Sequence, residues 1–286
     1  MTTLALGLVL LSAIFHATWN LFAKRAGGAA VFVWLADAIS CVVYLPLAVG
    51  VLVLEKPDLG PVEIGFMFGS ALLHLGYFLA LLRGYRVGDL SLVYPLARGT
   101  GPVISTLGAI LLFSERPAPL ALLGALMIAG GAFLLTGGPR VLGKGGSGWA
   151  IGYGLITGVL IGAYTLWDKF AVATLLIPPL LQYYGSSLGR VVLLAPYISN
   201  RREEIAREWR THRLELFAVG LLSPVSYILV LVALTFTLVS YVAPAREISI
   251  LLGAIMGARL LSEGDATRRL IASSAMVAGV VALALS

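Results

Sequence analysis

The sequence predicts an all-α membrane protein whose ten transmembrane helices form two five-helix halves, arranged as an inverted repeat. Three observations predict this fold. The chain of 286 residues is 59% hydrophobic and 12% charged, with a mean hydropathy of +0.96. It contains ten long apolar stretches, and distinctive residues of its first half recur in the second half. A soluble domain carries roughly 25% charged residues, so this composition excludes an ordinary soluble protein.

The ten apolar stretches each hold about 20 residues, the length that crosses the hydrocarbon core of a bilayer. The connections are short, and the residues outside the spans are too few to build a soluble domain with its own core. The stretch 199–213 is the one connection with room for a surface helix. We divide the chain into a first repeat (1–137), a glycine-rich linker (138–147) and a second repeat (148–286). The predicted spans are 3–23, 29–54, 62–84, 91–113, 118–137, 148–171, 176–198, 215–237, 239–261 and 267–285.

Several classes of function are disfavoured by composition and motifs. Cys41 is the single cysteine, so an intrachain disulfide is excluded. The net charge of +6 is spread between the spans, which indicates membrane topology and not nucleic-acid binding. The stretches "GSSLG" (185–189) and "GPRVLGKG" (138–145) match a nucleophile elbow and a P-loop by letter only, because no strand precedes either one. We therefore expect no enzymatic activity, no cofactor and no metal site.

The internal repeat appears at a shift of 148 residues. Trp19 then falls on Trp167, Ala97-Arg98 on Ala245-Arg246, and Ser114-Glu115 on Ser262-Glu263. Because each half has an odd number of spans, the second half enters the membrane in the opposite sense. Inverted repeats of this kind are typical of secondary transporters, which bind their substrate near the bilayer midplane between the repeats.

Four segments carry a resemblance to a known family. They are "HATWNLFAKRA" (16–26), "RVGDLSLVYPLARGTGP" (86–102), "FSERPAPLALLGALMIAGGAFLL" (113–135) and the weaker echo "RLLSEGDATRRLIASSAMVAGVVAL" (259–283). They resemble the EamA domains of the drug/metabolite transporter superfamily, and two such domains would cover essentially the whole chain. The resemblance implies a ten-helix secondary carrier of the inner membrane that exports amino acids or other small metabolites, often with proton coupling. The second half departs from the pattern, because Val242-Ala243 and Glu247 stand where the first half has Tyr94-Pro95 and Gly99.

Arg98 is the most unusual residue of the predicted spans. A charge at the bilayer centre costs about 2.5–3.5 kcal/mol, so Arg98 must face the bundle interior. Two prolines and two glycines lie within four residues of it, which predicts an irregular helix next to a watery cavity. Tyr94 lies one turn earlier on the same face. Together with Arg246 of the second half, Arg98 would bind a carboxylate or phosphate; a structural ion pair, with Glu247 as the partner of Arg98, stays open.

Further candidate site residues lie on the first and sixth spans. His16 and Asn20 lie four residues apart on one helix face, where a pathway role and an interhelical hydrogen bond are both open. Tyr164 and Trp167 occupy the positions that match His16 and Trp19 in the repeat. Proton coupling needs a group that changes charge, and the candidates are Asp37, His16, His74 and Glu247.

The loop charges predict an orientation. If both termini were cytoplasmic, the inner loops and span ends would hold only Lys56, Arg116 and Lys169, against fourteen Lys or Arg outside. The positive-inside rule therefore favours both termini outside. The expected partners are the lipid bilayer, a small-molecule substrate and protons, without nucleic acid, while a homodimer stays open. A second interpretation is a non-transporting scaffold or assembly factor, in which the buried charges are structural ties.

Overall fold

The computed structural model describes residues 1–26, 30–87, 90–136, 148–258 and 266–286. These residues form twelve α-helices and no strand. In chain order the helices are α1 (Thr3–Arg25), α2 (Ala30–Glu55), α3 (Pro61–Val87), α4 (Leu90–Leu112), α5 (Pro119–Thr136), α6 (Gly148–Ala173), α7 (Pro179–Ile198), α8 (Arg202–Thr211), α9 (Arg213–Phe236), α10 (Val239–Ala245), α11 (Ile248–Ala258) and α12 (Ala266–Leu285).

A helix lies at each predicted span position, so the all-α prediction is confirmed for the described part of the chain. By length and composition, five of these helices can cross a membrane on their own: α1, α2, α3, α6 and α9. Shorter apolar helices lie within α5 and α12. The connection 199–213 contains the surface helix α8. The predicted linker and the recurring Ser262-Glu263 pair lie outside the described residues.

The ninth predicted span, 239–261, is divided into α10 and α11 by a break at Arg246 and Glu247. Three backbone hydrogen bonds around the break connect residues three apart, as in a 3₁₀ turn: Glu247 N–H to Pro244 O (2.9 Å), Ser249 N–H to Arg246 O (3.2 Å) and Ile250 N–H to Glu247 O (2.9 Å). Pro244 lacks an N–H group and cannot make its own helical bond. The sequence predicts a single span here with an irregular helix, and the structure divides this span into two helices.

The fourth predicted span, by contrast, forms one continuous helix. The sequence predicts an irregular stretch around Arg98, but α4 continues through it. Hydroxyl groups within this stretch donate to backbone carbonyls one turn earlier. Thr100 Oγ1 donates to Leu96 O (2.6 Å), and Ser105 Oγ donates to Gly101 O (3.0 Å). Such bonds to the carbonyl one turn earlier are a usual way in which Thr and Ser hydroxyl groups are satisfied within a helix.

Close helix contacts rely on glycine. A Cβ atom on Gly158 of α6 would collide with the side chain of Thr100 on α4, and Gly154 and Gly162 face the same helix. On α7, Gly185 and Gly189 face α3 in a similar manner. These spaced glycines therefore form packing faces between the helices.

The helices of the two halves contact each other in matching pairs. Under the 148-residue shift, α1 corresponds to α6, α3 to α9, and α4 to α10 with α11. In the structure α1 packs against α9 and α11, and α6 packs against α3 and α4. The pairs α2 with α7 and α5 with α12 are also in contact. These contacts bring both halves together around a shared interior.

Candidate functional site

A cavity of about 290 Å³ lies in this shared interior, between α1, α2, α3, α6, α7, α9 and the end of α10. The lining includes residues 16–23 in the C-terminal half of α1, 32–40 in the N-terminal half of α2, 74–81 in the C-terminal half of α3 and 219–227 in the middle of α9. Since consecutive helices alternate in direction, the segments of α1, α2 and α3 lie toward the end of the bundle where α1 ends and α2 begins.

The wall formed by α3, α6 and α9 is aromatic. His74 stacks on Tyr164 with ring centroids 4.1 Å apart, and Tyr227 meets the His74 ring edge-on at 5.4 Å. Tyr77 completes the group at 6.0 Å from His74. His74 Nδ1 lies 2.9 Å from the carbonyl oxygen of Ser70. A carbonyl oxygen can only accept, so Nδ1 carries hydrogen, and Nε2 of the neutral ring is left as an acceptor.

A buried ion pair connects α2 and α7 at another side of the cavity. Arg190 Nε lies 2.9 Å from Asp37 Oδ2, and Arg190 Nη2 lies 2.8 Å from Asp37 Oδ1. Ser187 Oγ donates to Asp37 Oδ1 at 3.2 Å, and Arg190 Nη1 donates to Ser186 Oγ at 3.0 Å. This bidentate geometry gives strong and directional bonds, so both charges are matched inside the cavity wall.

Arg246 supplies a positive charge of a different kind. It follows α10 at the helix break, lines the cavity, and its guanidinium carbon lies 5.2 Å from the centroid of the Tyr227 ring. Within the described part of the chain, no carboxylate lies within 4.0 Å of its nitrogen atoms. A guanidinium in this position can bind an anionic group through two parallel hydrogen bonds.

Arg98, by contrast, does not line the cavity. Its Nε atom lies 3.1 Å from Glu247 Oε2, without the alignment of a hydrogen bond, and its Nη2 atom donates to Ser249 Oγ at 3.5 Å. Only 13% of the Arg98 side chain and 5% of the Glu247 side chain are exposed. The sequence left Arg98 open between binding an anionic group and pairing with Glu247, and in the structure Arg98 is paired with Glu247.

Three other predicted residues also lie outside the cavity lining: Glu247, Tyr94 and Trp167. Tyr94 is half-buried on α4. Trp167 donates from Nε1 to Phe66 O at 2.8 Å and stacks on the Phe66 ring at 4.3 Å, so it joins α6 to α3. The predicted residues that the structure does bring together in the lining are His16, Asn20, Asp37, His74, Tyr164 and Arg246.

The structure adds Arg190, Tyr183 and Tyr227 to the lining; the sequence left Arg190 open between a structural and a functional role and gave no role to Tyr227. A signal existed for Arg190: Asp37 is a carboxylate inside an apolar span and needs a cation, and Arg190 is the one cation of the seventh span. The tyrosines carried no such signal, because an aromatic residue in an apolar helix is compatible with core, interface or cavity.

Apolar helices packed around an internal cavity with several polar side chains are typical of a multi-pass membrane protein. Residues 3–137 match the model of the EamA-like transporter family. The first half of the chain is therefore similar to EamA-like transporters, which belong to the drug/metabolite transporter type.

Two further comparisons complete this picture. A solved crystal structure, described only as that of a protein, shares the fold with a TM-score of 0.70 at 16% sequence identity, over 99% of this chain and 97% of that chain. No protein with a curated description matches the chain.

Proposed function

We propose that the protein is a secondary active exporter of small metabolites that carry an anionic group, built from ten spans in an inverted five-plus-five repeat. The observation that carries this proposal is the cavity lined by Arg246, whose charge no described carboxylate matches. The anionic group of the solute would supply the missing partner.

The dimensions and walls of the cavity restrict the solute. Ligand pockets typically measure about 300–1,000 Å³, so a cavity of about 290 Å³ suits a small metabolite of amino-acid size. The stacked rings of His74, Tyr164 and Tyr227 offer a flat apolar wall for the body of the solute. Asn20 and His16 add hydrogen-bonding groups on the opposite helix, α1.

The inverted repeat is supported by the matching helix contacts. Each contact between α1 and the second half has its counterpart between α6 and the first half. A solute site between two such repeats can be exposed alternately to the two sides of the membrane when one repeat rocks against the other. The cavity has this location, because both halves contribute to its lining.

The basic loops support an orientation of the protein in the membrane. Lys24, Arg25, Arg83, Arg86 and the arginines of 201–213 all lie toward the end of the bundle that holds the cavity. The positive-inside rule assigns that end to the cytoplasm, which leaves both termini outside. In this arrangement the cavity faces the cytoplasm, which is compatible with the loading of a solute for export.

Proton coupling is the remaining part of the proposal. Of the candidates named from the sequence, Asp37 and Glu247 are each held by an arginine. His16 and His74 line the cavity, where His16 lies edge-on to Trp19 at 4.9 Å. Protonation of a group near the solute would change its affinity when the cavity changes sides.

A non-transporting scaffold is the second candidate. Two buried ion pairs join the halves, Arg98 with Glu247 and Asp37 with Arg190, and structural ties of this type are what a scaffold needs. The open cavity between the halves favours the transporter, since a scaffold gains no stability from unfilled space.

Flux measurements in sealed proteoliposomes test the proposal. Labelled amino acids, organic acids and phosphorylated metabolites are supplied with and without a pH gradient, to wild type and to Arg246→Gln. Hydrogen bonds to a charged group contribute about 1.5–3 kcal/mol, so Arg246→Gln should reduce the flux of the transported anion by about 10- to 150-fold. Arg202→Gln, on the exposed face of α8, is the matched control and should transport normally.

Two results would contradict the proposal. Unchanged flux in correctly folded Arg246→Gln would remove Arg246 from the site. Absence of flux for every compound in wild type would favour the scaffold.

A further inference from the structure

Four buried carboxylates lie among the described helices and connections, and three of them have their charge offset. Asp37 is paired with Arg190, and Glu247 with Arg98. Glu115 accepts from the backbone N–H groups of Val239 (2.7 Å) and Ser240 (3.0 Å) at the start of α10, where the helix dipole favours a negative charge. The fourth is Asp168 on α6, which is 0% exposed.

Asp168 is bound by neutral groups. Tyr227 Oη donates to Asp168 Oδ2 at 2.6 Å, and Gln182 Nε2 donates to Asp168 Oδ1 at 2.9 Å. No described Lys or Arg has a nitrogen atom within 4.0 Å of it. A buried charge without a counter-ion is costly, whereas the protonated acid is not. Asp168 can therefore gain or lose a proton without breaking an ion pair, which Asp37 and Glu247 cannot do.

Gln182 is suited to both charge states of Asp168. Its side chain is 0% exposed, and its Oε1 atom has no hydrogen-bond partner. When Asp168 is ionised, Gln182 Nε2–H donates to Oδ1, as in the structure. When Oδ2 is protonated, Oδ1 remains an acceptor as the C=O oxygen of the acid, so Gln182 Nε2–H keeps the same hydrogen bond in both charge states.

Tyr227 connects Asp168 with the cavity. Asp168 is not part of the lining, but Tyr227 is. The Tyr227 ring lies below the Arg246 guanidinium and edge-on to His74, while its hydroxyl group binds Asp168. A solute anion on Arg246 would thus lie against the ring whose hydroxyl group touches the buried acid.

We propose that Asp168 takes up and releases the coupling proton, and that Tyr227 passes this proton between Asp168 and the cavity. In the uptake step the hydroxyl hydrogen of Tyr227 moves to Asp168 Oδ2 while a hydronium ion in the cavity gives a proton to the phenol oxygen; release is the reverse. The assignment rests on the proposed function, which supplies proton-coupled transport.

Other polar groups also lie near Asp168 and Tyr227. The positive charge of Arg190 on α7 acts on Asp168 from a distance, and Ser70 of α3 is a neutral polar group near Asp168. His74 of α3 meets the Tyr227 ring edge-on, and the Arg246 guanidinium lies over the same ring. On α4, the charge of Arg98 is held by Glu247.

Infrared spectroscopy of the purified protein tests protonation directly, with the proton as the probe. During an acid titration, wild type should gain a carboxylic-acid C=O band that is absent from Asp168→Asn. The matched variant Asp37→Asn should retain this band, because it removes a different carboxylate. Folding of each variant is checked by size-exclusion chromatography.

Proteoliposomes loaded with a pH-sensitive dye provide the second readout, with the same panel of labelled anions. Asp168→Asn should keep solute counterflow, which needs no gradient, and lose both proton movement and stimulation by a pH gradient. Gradient-driven flux in Asp168→Asn, or the lack of an Asp168-dependent band in wild type, would overturn the assignment alone. Absence of any flux in wild type would refute the proposed function, and this assignment with it.

Discussion

The Arg98–Glu247 pair allows a quantitative test of whether Arg98 is a structural tie. The change is Arg98→Met, which keeps a long apolar side chain but leaves the Glu247 carboxylate without its cation. The two charged atoms lie 3.1 Å apart. At an effective dielectric constant of about 20, their attraction is about 5 kcal/mol.

The net effect of the single substitution is smaller than this attraction, since each charge also loses its hydration in the folded state. Breaking one partner of a buried ion pair costs about 3–5 kcal/mol, because the other charge stays buried and unmatched. Replacing both charges, in Arg98→Met with Glu247→Leu, should recover most of this loss, because a well-packed apolar pair is often as stable as the ion pair.

The measurement is the free energy of unfolding of purified protein in mild detergent, titrated with a denaturing detergent, for wild type, both single variants and the double variant. We expect a coupling energy between the two sites of at least about 2 kcal/mol, within the range found for residues in contact. Additive losses from the two single substitutions would refute the structural pairing, and would return Arg98 to consideration as a solute ligand.

Two further predictions concern packing and capping. Gly158→Ala places a methyl group against Thr100 and should lower the free energy of unfolding by about 1–3 kcal/mol, whereas Gly152→Ala has nothing within 4 Å and should leave it unchanged or slightly raised; equal effects would contradict the close contact of α4 with α6. Glu115→Ala removes the acceptor for two buried N–H groups of α10 and should cost about 1–3 kcal/mol in the same assay. Exposed Glu203→Ala is its control, and a Glu115→Ala variant as stable as this control would show that α10 does not need the cap.

The helix positions could be predicted from the sequence because a bilayer imposes a length of about 20 apolar residues on each span. The break after α10 could not be predicted in the same way. Pro244 precedes Arg246 there, but α4 contains two prolines around Arg98 and remains continuous. Proline removes a backbone donor in both places, so the presence of proline alone does not determine whether the helix ends.

The residues that line the site could be predicted only in part, because their pairings also depend on tertiary packing. A carboxylate such as Asp37 within a span predicts a cation partner but does not say which one. Arg190 is 153 positions away, and only the packing of α2 against α7 brings it to Asp37. Tyr227 and Asp168 meet in the same way, through contact of α9 with α6. Pairings across distant helices depend on tertiary structure, which local patterns do not encode.

The departure from the repeat explains why the two related arginines have different surroundings. Arg98 and Arg246 correspond under the 148-residue shift, but the next residue is Gly99 in the first half and Glu247 in the second. Adjacent residues on a helix point about 100° apart, so Glu247 is poorly placed for its neighbour Arg246, and in the structure it pairs with Arg98 across the interface. One carboxylate for two arginines leaves a single positive charge, that of Arg246, facing the cavity without a described counter-ion. If glycine followed both arginines, Arg98 would lose its carboxylate partner, and the free-energy cost of burying its charge would be higher. The asymmetry therefore places one arginine in an ion pair between the halves and leaves the other in the cavity, where the proposed function assigns it to an anionic solute.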